Sequence, residues 1–192
     1  MIQDIQAEIK ASIAVKEATL QDAGLLAQLE ELIETCLTSL QQGGKIIFCG
    51  NGGSFADAQH LSAEFTSRFL FDRAPLPSLA LGTNNSAISA IGNDYGYEFV
   101  FSRELQSIAS EKDVFVGIST SGNSPNVIAA VEVAKEMNVP TYVLTGKTGG
   151  KLKALCNCLC IPSPETARIQ ECHILLGHIL CGQVEQRYFK GE

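Results

Sequence analysis

No apolar run in this 192-residue chain approaches the ~20 residues that a membrane-crossing helix requires. A membrane partner is therefore not expected. The start, MIQDIQAEIK, lacks the charged-then-apolar order of a signal peptide, so a cytoplasmic location is expected. Basic stretches are also missing: the net charge is -7, and nothing is available to displace counterions along a nucleic-acid backbone. Any anionic ligand must be held by local devices. The seven cysteines are an odd number scattered through apolar segments, which argues for reduced, buried thiols over a disulfide framework. No internal repeat, low-complexity tract or long linker interrupts the chain. What remains is a soluble composition, 45% hydrophobic and 18% charged, long enough for one well-buried domain with an appendage.

Residues 1–42 contain no proline and a single glycine, Gly24. Leu25, Leu26, Leu29, Leu32, Ile33, Cys36, Leu37 and Leu40 recur at steps of three and four, which predicts an amphipathic helix. A weaker series, Ile2, Ile5, Ile9 and Ile13, precedes it, and residues 21–24 are expected to join two helices. Such a preface cannot bury its apolar stripe alone. It is expected to pack on the main domain, residues 43–192, or on another copy of the chain.

From Lys45 onward, short β-branched runs alternate with helical patterns. Strands are predicted at 46–49, 78–81, 114–118, 141–144 and 158–161. Helical stretches are predicted at 54–71, 86–91, 98–109, 125–137, 150–155 and 166–188. This alternation implies an α/β fold: a doubly wound three-layer α-β-α sandwich with a five-stranded parallel sheet and an N-terminal helical extension. Ligands of such sheets bind outside the carboxyl ends of the strands, so the loops after the first and third strands are the informative ones.

The loop after the third strand, STSGNS at 119–124, places four hydroxyls in six positions. Ser124 before Pro125 reads as a helix start, with the serine accepting from a backbone N–H. An ordinary capped turn accounts for Ser124 but not for Ser119, Thr120 and Ser121 together. A helix N-terminus with Gly122 allowing close approach suits a phosphate monoester. The loop after the first strand, GNGGS at 50–54, offers glycines for a second ligand contact, a weak signal alone. There is no G-x-x-x-x-G-K-[ST], and Phe55 replaces the third glycine of a dinucleotide fingerprint, so no nucleotide cofactor is expected.

Only three histidines occur: His60, His173 and His178. His60, Glu64 and Arg68 follow at steps of four and are expected to form one ridge on the helix leaving the first loop. A solvated charged face has the same pattern; the position at the ligand end of the sheet favours a site. On the last helix, His178 suits either a satisfied core position or an imidazole tuned for proton transfer in a dry pocket. His60, Glu64, His178 and Gln170 are donors that suit zinc. Gln170 and His178 are eight residues apart, however, about 12 Å along a helix axis. Cys156, Cys158 and Cys160 alternate at strand spacing and, lacking a fourth soft ligand, are read as buried strand thiols.

The segments GNGGSFADAQHLSAEF, GNDYGYEFVFSREL, VGISTSGNSPNVIAAV, YVLTGKTGGKL and ARIQECHILLGHIL together resemble the phosphoheptose isomerases of the sugar isomerase (SIS) family, over nearly the whole chain. The resemblance implies interconversion of D-sedoheptulose 7-phosphate and D-glycero-D-manno-heptose 7-phosphate, the first step toward the heptose of lipopolysaccharide. It implies a homotetramer built through the N-terminal helices, with active sites near subunit interfaces. Ser119, Thr120, Ser121 and Ser124 would hold the phosphate. Asn51, Gly52, Gly53, Ser54, Arg68, Asn93, Asp94 and Gln170 would surround the sugar. Glu64 and His178 would transfer protons, and His60, Glu64, Gln170 and His178 would bind zinc. Ala167 departs from the acidic residue some members carry, which removes one expected sugar contact. A non-catalytic SIS relative that binds a replication initiator is the alternative reading, and retention of His60, Glu64 and His178 counts against it. An isomerase for a six-carbon ketose phosphate is a further one.

Overall fold

The computed structural model describes residues 1–191. It opens with two helices, α1 (Ile2–Gln21) and α2 (Ala23–Gln41). Asp22 alone separates them, its carboxylate accepting the Leu25 N–H at 3.0 Å and so capping α2. The remainder runs β1 (Ile46–Gly50), α3 (Gly53–Thr66), β2 (Ser78–Ala80), α4 (Asn85–Asp94), α5 (Val100–Ile108), β3 (Val114–Ser119), α6 (Pro125–Glu136), β4 (Thr141–Gly146), β5 (Asn157–Ile161) and α7 (Thr166–Lys190). The two expected helical stretches at 98–109 and 150–155 each contain a tighter piece: 3-10 turns span Tyr97–Phe99 and Gly150–Ala154.

All five strands are parallel, in the order β2-β1-β3-β4-β5. Every residue of β1 and β3 is buried, as expected when helices cover both faces. One face packs α2, α3 and α7 through residues such as Leu32, Phe65 and Leu176 against Phe48 and Val116. The other packs α5 and α6 through Leu105, Val127 and Val131 against Ile47 and Phe115. The α1 helix lies along α7, held by Ser12 Oγ donating to Glu171 at 2.5 Å, by the Lys16–Glu171 pair at 3.3 Å and by Arg168 donating to the Glu8 carbonyl at 2.8 Å.

One element ends earlier than the periodicity predicts. Instead of running to residue 71, α3 stops at Thr66. The cause is a buried ion pair. Arg73 Nε donates to Glu185 Oε1 at 2.8 Å, with the two side chains 2% and 0% exposed. Glu185 also accepts the N–H groups of Phe69 (2.9 Å) and Leu70 (2.7 Å), which are thereby taken from the helix ladder. The Arg73 guanidinium caps the freed end of α3, donating to the carbonyls of Glu64, Phe65 and Ser67. Burial pushes the Glu185 carboxyl up, but the Leu70 and Phe69 N–H groups and Arg73 outweigh it and hold its pKa below the usual range.

His173 is fully buried on α7 and pairs through Nε2 with the Thr145 carbonyl at 3.2 Å. It belongs to the core. Burial lowers its pKa from 6.5 to about 4, the Thr145 contact opposing the shift only in part. The unfolded chain therefore takes up this proton first as pH falls. The stability held by neutral His173 is fully present above pH 6.5, and about 3 kcal/mol of it is lost by pH 4. Urea unfolding at pH 7.5 and pH 4.5 should show a smaller acid loss in His173→Gln than in the parent; equal losses would refute this. Arg73→Leu leaves Glu185 charged and buried without its partner, and should cost about 3–5 kcal/mol in the same assay at neutral pH.

Candidate active site

The strand order reverses between β1 and β3: the connection from β1 leads to β2 on one side, and that from β3 leads to β4 on the other. This opens a crevice at their carboxyl ends, where loops 50–54 and 119–124 meet. Two asparagines join them. Asn51 Nδ2 donates to Asn126 Oδ1 and Asn126 Nδ2 donates to Asn51 Oδ1, each at 2.8 Å, and the Tyr97 hydroxyl adds a bond of 3.3 Å to Asn51. In the first loop, Gly52 takes φ +56, and Ser54 is buried with its N–H bonded to the Asn51 carbonyl.

The hydroxyl loop differs from expectation in one respect. Ser124 occupies the N-cap position of α6 ahead of Pro125, yet its side chain caps no N–H. Its Oγ lies 2.9 Å from Ser119 Oγ instead, because the neighbouring Asn126 side chain accepts the Val127 N–H at 3.0 Å. Thr120 is half-buried and Ser121 is exposed at the rim. Gly122, at φ +65, has no room for a side chain: a Cβ there would lie 2.0 Å from the Gly149 carbonyl oxygen. The 146–152 segment buttresses the loop through Gly146 N–H to Thr120 O and Leu152 N–H to Gly122 O.

Beside this cradle, α3 and α7 run parallel in close contact. A Cβ on Gly53 would meet the Gln170 amide, and one on Gly177 would meet Leu61. This register brings the second turn of α3 to His178. His60 Nε2 and His178 Nε2 lie 2.9 Å apart, and Glu64 Oε1 lies 3.2 Å from His60 Nε2. Phe69 stacks on the His178 ring at 5.5 Å. One ligand atom from each of His60, Glu64 and His178 falls within 4.8 Å of the others.

The three-residue cluster fits a cation. Two imidazoles and a carboxylate suit a borderline metal, and bonds of about 2.0–2.1 Å in tetrahedral geometry need nitrogens about 3.3 Å apart, a small spreading of the existing pair. Asp57, one turn before His60, strengthens the fit: its Oδ2 is buried without a hydrogen-bond partner among the described residues. Burial raises the Asp57 pKa, while His60 and His178 oppose the shift. Positive charge in the cluster would relieve that carboxylate.

Other candidates are placed differently. Gln170 sits against Gly53, at the head of α3, two turns of α7 before His178. Arg68 is not on a ridge with His60 and Glu64, since α3 ends before it and the residue is exposed in the following loop. Asn93 and Asp94 lie at the exposed end of α4, bonded to each other at 2.8 Å, and line an open cleft of about 600 Å³ with Asn85, Ser86 and Ser89. Of the strand thiols, Cys158 is buried but Cys156 and Cys160 are only half-buried, because β5 is an edge strand. Sequence reasoning missed Asp57, Asn126, Phe69 and the Arg73–Glu185 pair. Asp57 alone carried a local signal, standing three residues before His60 on the same helical face.

Comparison with known proteins agrees with this geometry. The sequence model of the SIS domain matches residues 10–146. The chain is 53% identical to the phosphoheptose isomerase of Aneurinibacillus thermoaerophilus over 98% of its own length and 96% of the relative's. It is 48% identical to phosphoheptose isomerase 1 of Campylobacter jejuni, covering 98% and 100% of the two chains. The solved structure of the phosphoheptose isomerase from Neisseria gonorrhoeae superposes with a TM-score of 0.90 at 43% identity, over 97% of this chain and 100% of that one. The parallel five-stranded sheet, the two loops at its carboxyl end and these likenesses lead to one conclusion: the chain belongs to the SIS domain family and, within it, to the phosphoheptose isomerases.

Proposed function

We propose that the chain interconverts D-sedoheptulose 7-phosphate and D-glycero-D-manno-heptose 7-phosphate, supplying the heptose of lipopolysaccharide. The observation that carries the reading is the convergence of His60, Glu64 and His178 beside a hydroxyl-rich loop at the carboxyl end of the sheet. Relatives at about half identity are named phosphoheptose isomerases. A non-catalytic binding role leaves this convergence without a purpose and is not favoured.

In this reading Ser119, Thr120, Ser121 and Ser124 hold the phosphate, with the paired Ser119 and Ser124 hydroxyls free to rotate toward it. Asn51 through Ser54, Arg68, Asn93, Asp94 and Gln170 serve the sugar. The Asn51 amide is already committed to Asn126, so its part is to hold the loop while the glycines admit the ligand. Glu64 takes the proton from C1 as the C2 carbonyl oxygen becomes a hydroxyl, giving the enediol. His178 returns a proton at C2 as the O1 hydroxyl becomes the aldehyde. Phe69, stacked on His178, fixes the ring plane and shields it from water.

Zinc held by His60, Glu64 and His178 would supply a Lewis acid to polarise the carbonyl, while Gln170, expected as the fourth donor, lies against Gly53 two turns of α7 away and would have to move to reach it. Exposed Ile2 (74%), Ile5 (61%), Ile9 (56%) and Ile13 (49%) form an apolar stripe on α1, which supports a homotetramer assembled through the N-terminal helices. No described helix is long and apolar enough to cross a membrane, and a cytoplasmic location fits this reading.

Chelator-treated protein incubated with sedoheptulose 7-phosphate should generate the aldose signal in proton NMR once zinc is restored. No aldose with or without zinc would overturn the assignment. Glu64→Gln should lower turnover by about 10²–10⁴-fold while inorganic phosphate still binds, measured by calorimetry. Turnover within a few-fold of the parent would remove Glu64 from the role of base.

A further inference from the structure

The β3–β4 ladder pairs Ser119 with Thr145 as direct neighbours, two residues beyond the Gly117 and Val143 pair. Side chains two residues apart share a face of the sheet, so the Gly117 level shows which way Ser119 and Thr145 point. A Cβ on Gly117 would lie 3.3 Å from Val143 Cγ2 and 3.0 Å from Val127 of α6. Ser119 and Thr145 therefore both face the α6 layer. The Ser119–Ser124 contact at 2.9 Å agrees, since Ser124 heads that helix. Thr145 is fully buried, and its Oγ1 has no hydrogen-bond partner among the described residues. Its ladder neighbour on the other side, Cys160, gives its thiol to the Cys158 carbonyl at 3.6 Å. From the α7 side, His173 Nε2 donates to the Thr145 carbonyl at 3.2 Å, which fixes the backbone and leaves χ1 to place the hydroxyl. A buried donor without a partner, next to a proposed binding loop, calls for a physical reason.

We propose that Thr145 is a positioning residue of the phosphate cradle, its hydroxyl donating to Ser119 Oγ when Ser119 and Ser124 turn to a phosphate. The inference rests on the reading of 119–124 as that cradle. A count of donors and acceptors supports it. Ser119 and Ser124 satisfy each other through one bond, and Ser119 is buried. Once both hydroxyls point at phosphate oxygens, Ser119 Oγ accepts from neither partner nor bulk water. A buried acceptor left bare is costly. Thr145 supplies the missing donor. Paired strands lie about 4.8 Å apart, so hydroxyls turned toward each other from facing positions come within hydrogen-bond reach by a change of χ1. The Thr145 O–H then gains the acceptor it lacks, and the Ser119 O–H, polarised by accepting, donates more strongly to the anion. Thr145 does not touch the ligand. It acts through Ser119, from a strand that carries none of the four loop hydroxyls.

Thr145→Val keeps the branched shape without the hydroxyl, and Thr145→Ser keeps the hydroxyl. Calorimetry with inorganic phosphate on the full-length protein should show about fivefold to tenfold weaker binding to Thr145→Val, with Thr145→Ser within about twofold of the parent. The urea midpoint of Thr145→Val should equal or exceed the parent's, because the change deletes a buried donor that has no partner. A threonine that served only the packing would give the opposite pattern, lost stability with unchanged phosphate affinity. With sedoheptulose 7-phosphate, KM should rise by a similar factor while kcat stays within about twofold, as when binding is lost equally from ground and transition states. In a Ser119→Ala background, Thr145→Val should have no further effect on phosphate affinity, since the residue it acts through is gone. Parent-like phosphate binding by Thr145→Val, or the same weakening with and without Ser119, would overturn the role of Thr145 and leave the cradle standing. A parent titration that Ser119→Ala does not alter would remove the cradle, and the role of Thr145 with it.

Discussion

The candidate site rests on the buried contact between α3 and α7. These helices lie more than a hundred positions apart in the chain, yet His60 and His178 meet at 2.9 Å. Two features hold the register. Gly177 lets α7 approach Leu61 closer than any side chain would permit, and the Arg73–Glu185 pair ties the end of α3 to α7 one turn or more past His178. The same carboxylate orders Phe69, whose ring stacks on His178. An unpaired buried charge costs several kcal/mol, so Arg73 and Glu185 tolerate only the arrangement in which both are satisfied. That arrangement also truncates α3 and turns Arg68 away from the ridge on which helical spacing would put it.

The cradle at the head of the sheet depends on a second constraint, the reciprocal amide pair of Asn51 and Asn126. It couples the loop after β1 to the first turn of α6, across the point where the strand order reverses. Gly122 against Gly149 completes the support from the other side, at an approach only glycine allows. Ser119 and Ser124 are then left to each other at 2.9 Å, the pair that would turn to the phosphate in the proposed function. A loop with rigid backbone supports and loosely committed hydroxyls is suited to an anion that must bind and leave in every turnover.

Much of the fold was legible because its signals are local. All five strands lie within a residue or two of the short apolar runs that predicted them, and the parallel sheet follows from their alternation with helical patterns. The hydroxyl loop and the four-residue spacing of His60 and Glu64 were legible for the same reason, since both are properties of a single turn or helix. His173 and His178 were not distinguishable by sequence: both sit in apolar stretches of α7, yet one is sealed against Thr145 while the other opens onto His60. Nor was the commitment of Asn51, or the end of α3, because the partners responsible are 75 and 112 residues distant.

The amino-acid order by itself determined which donors exist, where the strands and helices run, and which end of the sheet would take a ligand. Hydrophobic period and turn chemistry act within a few residues, so a linear reading captures them. Only the tertiary structure decided that His60, Glu64 and His178 converge while Gln170 sits against Gly53, that Asp57 is left with an unpaired oxygen, and that Cys156 is half-buried at an edge. Those outcomes depend on how α3 packs on α7 and on which strand ends the sheet. Both are set by the total burial and charge satisfaction of the folded chain, which no single segment encodes.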